Sequence, residues 1–413
     1  MTILYWLLFI ISAISVAGCL GAAITMGMRF RETSYDNKQR EAIGAIASLS
    51  MIVPIKGVDS YTEAHLNALV ESLLEPGTLV EYLFAMESAD DPAYAVCQHV
   101  QTRHPEQHIR IILTGPASGR MGKQHNLAIA VREVRYEAIG SMDADVQVSP
   151  DTLAVGLRYL VRPDSGVVYF LPQYVAPGQP RHRVPARGTP TIYGPPGGLL
   201  VALYSNYYYQ LFMGSLALNT RAAFITGGLW LMRVSTLKAI GGLEQFGLTV
   251  SDDAAIGQAV RKQGLRNVLV PRTVRIPFEQ LGLRAGGRHL LKWLAMLRAE
   301  GIGVYLSILF SWHPVLWSLV TLLTGLLLLV LTHSSLYLLC GLVLFLVALV
   351  IKLASGLILN HRVYVLPALR YLPLLIAYEL LAVPFLFSAG LFRRTIVWKG
   401  RKYVLGRHGR IMG

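Results

Sequence analysis

The chain has 413 residues, of which 53% are hydrophobic and 15% are charged, and its mean hydropathy is +0.46. Soluble proteins average about 25% charged residues, so the composition excludes a disordered or collagen-like chain and argues against a plain cytosolic enzyme. The net charge of +14 is uneven: residues 41–300 hold 24 basic and 21 acidic side chains, whereas the flanks 1–40 and 301–413 hold 14 and 3. Positive charge beside apolar stretches fits lipid headgroups and membrane topology, and nucleic-acid binding is not expected.

The first 28 residues contain no Asp, Glu, Lys or Arg, which is enough for one membrane-spanning helix. The start is not basic and the apolar run is long, so an uncleaved anchor within residues 3–26 is favoured over a cleaved signal peptide. Basic residues follow the run and predict that the next domain is cytoplasmic. They are Arg29, Arg31, Lys38 and Arg40.

Residues 301–351 are also free of these charged side chains. They predict two further spans, near Pro314–Leu331 and Leu336–Leu353, with a turn at Thr332–Ser335 between them. The apolar segment at 301–313 is too short to span a bilayer and predicts an interfacial helix.

The last apolar region, Leu366–Phe392, is interrupted by three prolines, Arg370 and Glu379. The tail at 393–413 carries seven Lys or Arg residues and no acidic residue, so we expect it on the cytoplasmic side. One crossing by the last apolar region would put the tail outside. We therefore predict that this part of the membrane region 314–392 is re-entrant or interfacial, with a third crossing as the alternative.

Between the membrane segments, residues 41–300 predict one α/β domain. Strand–helix alternation predicts a mostly parallel, Rossmann-like sheet, in which ligands bind at the carboxyl ends of the strands. The predicted strands are Ala47–Pro54, Thr78–Met86, Ile109–Leu113 and Ala138–Met142, and the predicted helices are Thr62–Leu74, Pro92–His104 (capped by Asp91) and His125–Val134. The polar residues that follow these strands are Lys56, Asp90, Asp91 and Asp143.

A stretch rich in Pro, Gly and Arg, Ala176–Gly198, breaks this alternation. It predicts a long loop near the membrane or the acceptor, and a disordered insertion is an equal alternative. Beyond it, the pattern predicts a helix at Leu199–Phe212, an apolar segment at Phe224–Met232 and a helix that opens at Ser251.

Two acidic motifs are candidates for chemistry. Asp143 and Asp145 form a D-x-D segment after a predicted strand, and their carboxylates are ligands that Mg²⁺ and Mn²⁺ prefer, although Asp is also common in plain turns. Asp252 and Asp253 open a helix, where acids often cap the first turn. The functional alternative is a general base, since adjacent carboxylates at a partly buried helix start keep one pKa high.

Two basic segments each allow two interpretations. Gly115–Asn126 contains Arg120 and Lys123 and could contact a diphosphate, but Gln124 follows Lys123 where a P-loop needs Ser or Thr. Arg288–Trp293 combines cations with an aromatic side chain just before the membrane. It fits either a belt at the lipid headgroups or phosphate stabilisation beside an acceptor.

Several segments, taken in chain order, form a specific set: Val53–Gly57, Glu87–Ala93, Lys123–Leu127, Ser141–Val146, Ser251–Asp253 with Gly257, and Arg394–Arg401. Together they resemble the processive-type GT-A glycosyltransferases of the family 2 kind. More narrowly, they resemble the ceramide glucosyltransferases and the bacterial hopanoid-associated glycosyltransferases. The resemblance covers most of residues 47–300. The family's Q/R-x-x-R-W motif is represented here by His289-Leu290-Leu291-Lys292-Trp293, with Lys in place of Arg.

The resemblance implies an inverting transfer of a sugar, with glucose favoured, from a UDP-sugar to the hydroxyl of a lipid acceptor such as ceramide. It assigns proton removal to Asp253, with Asp252 beside it, and a Mg²⁺ or Mn²⁺ ion to Asp143 and Asp145. The donor-binding residues that it implies are Pro54, Lys56, Asp91, Lys123, Asp143, His289, Lys292 and Trp293.

The apolar runs and the basic residues beside them predict a multi-pass membrane protein with its catalytic domain on the cytoplasmic face, in the inner membrane if the protein is bacterial. The expected partners are a UDP-sugar, a lipid acceptor and membrane lipids, and no oligomeric state is predicted. Two alternatives stay open. One is the same chemistry on a hopanoid, diacylglycerol or polyprenyl acceptor, and the other is a non-catalytic membrane scaffold that binds a sugar lipid.

Overall fold

A computed structural model of the chain describes residues 1–31, 46–176, 194–218, 223–278, 281–364 and 372–412. Three features named above lie outside these residues. They are the basic residues Lys38 and Arg40, the part of the long loop at 177–193, and the start of the last apolar region at 366–371.

The secondary structure follows the predicted alternation and continues beyond it. The α-helices are α1 (Thr2–Arg31), α2 (Thr62–Val70), α3 (Ala93–Arg103), α4 (Gly122–Ala130), α5 (Thr152–Leu160), α6 (Pro196–Tyr204), α7 (Gln210–Leu218), α8 (Val234–Ala239), α9 (Asp252–Lys262), α10 (Leu283–Glu300), α11 (Ile302–Ser311), α12 (Pro314–Thr332), α13 (Leu336–Ile358), α14 (Leu372–Ala377) and α15 (Val383–Leu391). The strands are β1 (Ser48–Pro54), β2 (Leu79–Met86), β3 (His108–Leu113), β4 (Ala138–Met142), β5 (Ser165–Val175), β6 (Leu229–Arg233), β7 (Arg266–Pro277), β8 (Thr395–Trp398), β9 (Arg401–Leu405) and β10 (Ile411–Met412).

The described residues pack into two units. One unit contains α1, α6, most of α7, and the helices from α10 to α15. The other contains a seven-stranded sheet with its covering helices and most of a three-stranded sheet formed by the tail. The predicted domain 41–300 therefore contributes residues to both units, because α6 and α10 pack with the apolar helices.

The large sheet has the strand order β3-β2-β1-β4-β6-β5-β7. β1 pairs in parallel with β2 and β4, β2 pairs in parallel with β3, and β5 pairs in parallel with β7. Among the described strands of this sheet, only β6 runs antiparallel to its neighbours, β4 and β5. The prediction of a mostly parallel α/β sheet is confirmed. The strand order reverses between β1 and β4, which is where such sheets bind ligands.

The four predicted strands are confirmed with ends that differ by at most one residue. They are short apolar runs, and β1 and β2 are buried along most of their length, as expected for strands covered on both faces. The sequence pattern does not predict β5 and β7, which pair with each other. β7 contains Pro271 and Pro277 and several arginines, and this composition hides the two-residue period of a strand.

The long apolar helices α1, α12 and α13 pack against one another in their own unit. Ser12 Oγ lies 3.0 Å from Thr321 Oγ1, which joins α1 to α12. The hydroxyl of Tyr5 donates to the carbonyl of Tyr337 at 2.6 Å, beside the turn between α12 and α13. A Cβ on Gly325 would lie 2.7 Å from that same carbonyl oxygen, so a glycine lets the two helices of the hairpin approach closely.

Four helical stretches are long and apolar enough to cross a membrane, namely Thr2–Phe30, Pro314–Thr332, Leu336–Tyr364 and Leu372–Leu391. The first three match the predicted spans. The fourth is the described part of the last apolar region, and its re-entrant or interfacial placement stays a prediction. α11 is a shorter apolar helix at the position where an interfacial helix is predicted.

Candidate active site

The unit that holds the large sheet brings the predicted polar residues to one edge. Lys56, Glu87 and Asp143 follow β1, β2 and β4, and these parallel strands end at the same edge of the sheet. β6 runs in the opposite direction, so its beginning meets this edge as well. The N–H of Asp143 donates to the carbonyl of Gly228 at 2.9 Å, which holds the D-x-D segment against the start of β6.

Lys123, near the start of α4, lies among the acidic residues. Its ammonium is 2.7 Å from Asp143 Oδ1 and 3.6 Å from Asp252 Oδ2. The ammonium also donates to the carbonyl of Gly227 at 3.4 Å. Gln124 Nε2 donates to the same oxygen of Asp252. The first turn of α4 therefore connects the end of β4 to the start of α9.

The charges in this cluster alter one another's protonation. Burial on its own would lower the pKa of Lys123, but the carboxylates of Asp143 and Asp252 outweigh burial and raise it, so the ammonium stays charged. Burial raises the pKa of Asp143 to about 6, with Lys123 acting against the rise and Asp145 adding to it. Because carboxylates outnumber lysines here, the cluster favours an additional cation.

Asp253 lies beside Asp252 in the first turn of α9, and the two side chains differ in burial. Asp252 is buried, with 8% of its surface exposed, whereas Asp253 is only partly buried. A Cβ on Gly227 would lie 3.4 Å from Lys123 Nζ and 3.6 Å from Asp253 Oδ2. The side chains of Lys123 and Asp253 therefore line the space above Gly227. Asp253 is the more accessible of the two adjacent acids.

Asp145 is the exposed member of the D-x-D segment. Among the residues that the structure describes, no three His, Cys, Asp or Glu side chains form a group that could hold a metal by themselves. Asp143 and Asp145 nevertheless fit a Mg²⁺ or Mn²⁺ ion. Such ions are often bound through one or two carboxylates, with substrate phosphates and water completing the coordination. The donor set is thus compatible with a metal whose coordination the nucleotide completes.

Asp91 holds the turn that follows β1. Its two carboxylate oxygens accept the N–H of Gly57 at 2.9 and 3.1 Å, and φ is +69° at Gly57, a region that favours glycine. Its Oδ1 also accepts the N–H of Ala93, the first residue of α3, at 3.0 Å, while Pro92 occupies the N-cap position of this helix. Pro54 is buried at the end of β1, two residues before Lys56.

Sequence reasoning missed Glu87 as a site residue. Its carboxylate binds Lys56 Nζ at 3.4 Å, Arg401 Nη2 at 2.8 Å and the N–H of Ala117 at 3.3 Å. Burial on its own would raise the pKa of Glu87, but the hydrogen bonds from Arg401 and Ala117 outweigh it and lower the pKa. The sequence feature that could have identified Glu87 is its position directly after β2, which matches the position of Asp143 after β4.

Asn126 is a second missed residue, and it explains the spacing of the segment Lys123–Leu127. Its Nδ2 donates to the carbonyl oxygens of Ala85 at 3.2 Å and Ile55 at 3.4 Å, and its Oδ1 accepts from Thr114 Oγ1 at 2.7 Å. One helical turn therefore presents Lys123 to the carboxylates and fastens α4 to the ends of β1, β2 and β3.

The predicted residues of α10 belong to the other unit. The rings of His289 and Trp293 pack edge to face with centroids 4.5 Å apart, and Trp293 lies 6.4 Å from the ring of Tyr204. Burial lowers the pKa of His289 to about 3, and Lys292 lowers it further, so the imidazole is neutral. Contact of His289, Lys292 and Trp293 with a donor stays a prediction.

Comparison with known proteins identifies the class of protein. The sequence model of Glycosyl transferase family 21 matches residues 8–180 and 210–411. A mostly parallel sheet with carboxylates at the point where its strand order reverses is accordingly the GT-A catalytic domain of a glycosyltransferase. The chain belongs to glycosyltransferase family 21.

Similar proteins include an enzyme of lipid glycosylation. Ceramide glucosyltransferase 1 of Caenorhabditis elegans is 22% identical over 260 residues, which cover 62% of this chain and 52% of the relative, so the chain spans about half the length of that relative. Among solved structures, a mannosyltransferase from Pyrobaculum calidifontis in complex with GDP-Man and Mn²⁺ has a TM-score of 0.49 and 17% identity, covering 93% of this chain and 98% of that chain. S. aureus TarS 1-349 in complex with UDP-GlcNAc has a TM-score of 0.40 and 13% identity, covering 89% and 99%.

Proposed function

We propose that the protein transfers a sugar from a UDP-sugar to the hydroxyl of a lipid acceptor, with inversion at the anomeric carbon. Glucose and ceramide are the favoured pair, because Ceramide glucosyltransferase 1 is a relative of this family 21 chain. The observation that carries the proposal is the grouping of Asp143, Asp252 and Asp253 with Lys123 where the strand order of the sheet reverses.

Asp253 is the general base in this proposal. It is more accessible than Asp252, which is buried and bonded to Gln124, and a base must reach the hydroxyl from which it takes the proton. As Asp253 takes that proton, the hydroxyl oxygen attacks the anomeric carbon. The bond from this carbon to the diphosphate oxygen breaks, and UDP departs with its electron pair. Asp252 keeps the start of α9 in place through its bonds to Gln124 and Lys123.

Lys123 stabilises the negative charge that develops on the departing diphosphate. Its raised pKa keeps the ammonium charged throughout the neutral range, and a fixed charge in a partly buried site acts more strongly than one in water. Pro54, Lys56 and Asp91 contact the nucleotide part of the donor in this proposal. Pro54 and Lys56 lie at the end of β1, where the strand order reverses, and Asp91 accepts the N–H of Gly57 in the turn after β1, which supports the role.

Asp143 and Asp145 are the proposed ligands of a Mg²⁺ or Mn²⁺ ion. When bound, the ion supplies positive charge next to the diphosphate. The excess of carboxylates over lysines and the raised pKa of Asp143 both support a cation at this position.

The membrane arrangement that we propose places the tail on the cytoplasmic side with the catalytic domain. Arg401 of the tail pairs with Glu87, so the tail and the large sheet lie on the same side of the membrane. The chain between residues 277 and 397 must then cross the membrane an even number of times. The hairpin of α12 and α13 supplies two crossings, which leaves none for residues 372–391.

A contact of Glu379 supports this placement of α14 and α15. Glu379 is near the middle of the apolar stretch 372–391, and its Oε1 accepts the N–H groups of Val315 at 2.6 Å and Leu316 at 2.9 Å in the first turn of α12. The middle of residues 372–391 thus lies at the membrane depth where α12 begins. A segment centred at that depth does not cross the bilayer that α12 spans. We therefore infer that residues 372–391 lie at the cytoplasmic interface, where a lipid acceptor approaches from the bilayer.

A turnover screen tests the proposal. Purified full-length protein is mixed with UDP-glucose, UDP-galactose or UDP-N-acetylglucosamine, with Mg²⁺ or Mn²⁺, and with micelles of ceramide, diacylglycerol or a hopanoid. We expect a hexosylceramide from UDP-glucose, identified by its mass. NMR should show that the anomeric configuration of its sugar is the inverse of that in the donor. The variant Asp253→Asn controls for a contaminating enzyme. No glycolipid from any combination would overturn the proposal, and a product on another lipid would replace ceramide as the acceptor.

A further inference from the structure

The tail forms a small sheet of its own with the strand order β10-β9-β8. β8 and β9 are joined by Lys399 and Gly400, both with positive φ (44° and 79°), as in a tight two-residue hairpin turn. β10 returns antiparallel to β9, and Ile411 pairs with Leu405. The tail is therefore an ordered element rather than a loose basic extension.

One end of this sheet contacts the nucleotide side of the site. Arg401, the first residue of β9, donates from Nη2 to Glu87 Oε2 at 2.8 Å, and the other oxygen of Glu87 binds Lys56. A Cβ on Gly122 would lie 3.2 Å from Glu87 Oε1 and 3.5 Å from Arg401 Nη1. The ion pair thus packs against the residue that precedes Lys123.

The other end of the tail pairs with the chain that leads into α9. The N–H of Val250 donates to the carbonyl of Gly409 at 3.0 Å, and the N–H of Ile411 donates to the carbonyl of Leu248 at 2.8 Å. α9 begins two residues after Val250, with Asp252. The tail therefore reaches both the end of β2 and the start of the helix that carries the two acids.

We propose that residues 397–412 of the tail are a positioning element of the active site and that Arg401 is its positioning residue. It holds the nucleotide side, at Glu87 and Lys56, at a fixed distance from the start of α9. The proposal rests on the proposed function for its catalytic meaning. The mechanical coupling itself depends only on the contacts described.

The chemistry supplies the reason for such an element. A base and a donor must be held within about 0.5 Å of their productive geometry. The start of α9 lies outside the sheet, and its ties include the side chains of Gln124 and Lys123. The segment just before it is held by the backbone pairing with the tail and by the N–H of Met121, which donates to the carbonyl of Gly247 at 3.0 Å. A charge-assisted bond from Arg401 to the nearly buried Glu87 is short and directional, so it suits an anchor.

The test compares Arg401→Ala with Lys402→Ala in the full-length protein. Lys402 is the next residue of β9 and is exposed, so it is the matched control. We expect Arg401→Ala to lower kcat for sugar transfer by about 10- to 100-fold, with a smaller change in the KM for the UDP-sugar, because a misplaced base slows the chemical step. Arg401→Lys should recover part of kcat. Amide hydrogen exchange in segments 114–122 and 247–253 should accelerate in Arg401→Ala and not in the control.

The outcomes separate this proposal from the proposed function. Equal kcat in Arg401→Ala and Lys402→Ala, with unchanged amide exchange, would overturn the positioning role. If the wild-type protein transfers no sugar but Arg401→Ala accelerates exchange in 247–253, the coupling stands and the proposed function fails. If Arg401→Ala does not fold, Ile411→Pro removes the hydrogen bond to Leu248 from the other end of the tail. Unchanged exchange in 247–253 of that variant would also overturn the proposal.

Discussion

The ammonium of Lys123 lies 2.7 Å from a carboxylate oxygen of Asp143, at the point where the strand order of the large sheet reverses. The same ammonium is 3.6 Å from Asp252, so one cation lies between the end of β4 and the start of α9. A single lysine thus balances acids that belong to different elements of the sheet unit.

Removing this cation should reduce transfer. In Lys123→Met, the carboxylates of Asp143 and Asp252 lose their shared partner, and the departing diphosphate loses a positive charge. We expect kcat/KM for the UDP-sugar to fall by about 100-fold or more. The control is Lys262→Met, since Lys262 is exposed at the far end of α9. Equal kcat/KM in the two variants would contradict a role for Lys123 in catalysis.

Asp143 should make the stability of the metal-free protein depend on pH. Its pKa of about 6 in the folded protein is above the ordinary value of 3.8, so the folded state binds this proton more tightly than the unfolded state. The stabilisation is complete below about pH 3.8 and is lost as pH rises through about 6. We expect the Tm, measured with a chelator, to fall between pH 5 and pH 7, and Asp143→Asn to remove this component.

Asp164 provides the matched control for that measurement. A hydrogen bond from Arg266 lowers the pKa of Asp164, so its contribution to stability is present at neutral pH and is lost only in acid, below the window from pH 5 to pH 7. Asp164→Asn should therefore leave the slope of Tm in this window unchanged. A wild-type Tm that does not fall between pH 5 and pH 7 would contradict the prediction.

Asp253→Asn should stop the reaction without loss of the fold. Asparagine keeps the size of the side chain but cannot accept the proton of the acceptor hydroxyl. We expect kcat to fall by about 100- to 10,000-fold while binding of UDP, measured by calorimetry, changes little. The control Asp151→Asn removes an exposed ion pair with Arg272 and should keep normal turnover. Near-normal turnover in Asp253→Asn would rule out this residue as the base.

The proposed topology predicts opposite labelling of two exposed positions. With native cysteines replaced, Arg407→Cys marks the tail and Ser335→Cys marks the turn between α12 and α13. In sealed vesicles, a membrane-impermeant maleimide should label position 407 only from the cytoplasmic side and position 335 only from the other side. Labelling of both positions from the same side would mean that residues 372–391 cross the membrane.

A buried ion pair between α13 and the segment before α15 should be important for stability. Lys352 Nζ lies 3.1 Å from Glu379 Oε2, with the side chains 2% and 0% exposed. Glu379→Gln leaves Lys352 charged and unpaired, so we expect the free energy of unfolding in detergent to fall by about 3–5 kcal/mol. The double variant Lys352→Met with Glu379→Met removes both charges and should recover most of the loss. Equal destabilisation in the single and double variants would contradict the coupling.

The sequence by itself predicted the apolar helices that are long enough to span a membrane, the strands β1 to β4, and the polar residues Lys56, Asp91 and Asp143 that follow these strands. These features depend on local properties of the chain. The length of an apolar run decides whether a helix made from it can span a bilayer. The alternation of short apolar runs with amphipathic stretches predicts a parallel sheet. The order of the motifs then identified the glycosyltransferase resemblance before any packing was known.

Only the tertiary structure decided which of these residues meet. Asp143 and Asp252 share Lys123 although more than 100 residues separate them, and Arg401 reaches Glu87 across 314 positions of the chain. β7 escaped prediction because its prolines and arginines hide the pattern of a strand, and its place is set by pairing with β5. Hydrophobic period and run length describe neighbours along the chain. A contact between distant residues depends on how the elements pack, and a single sequence carries no local signal of that packing.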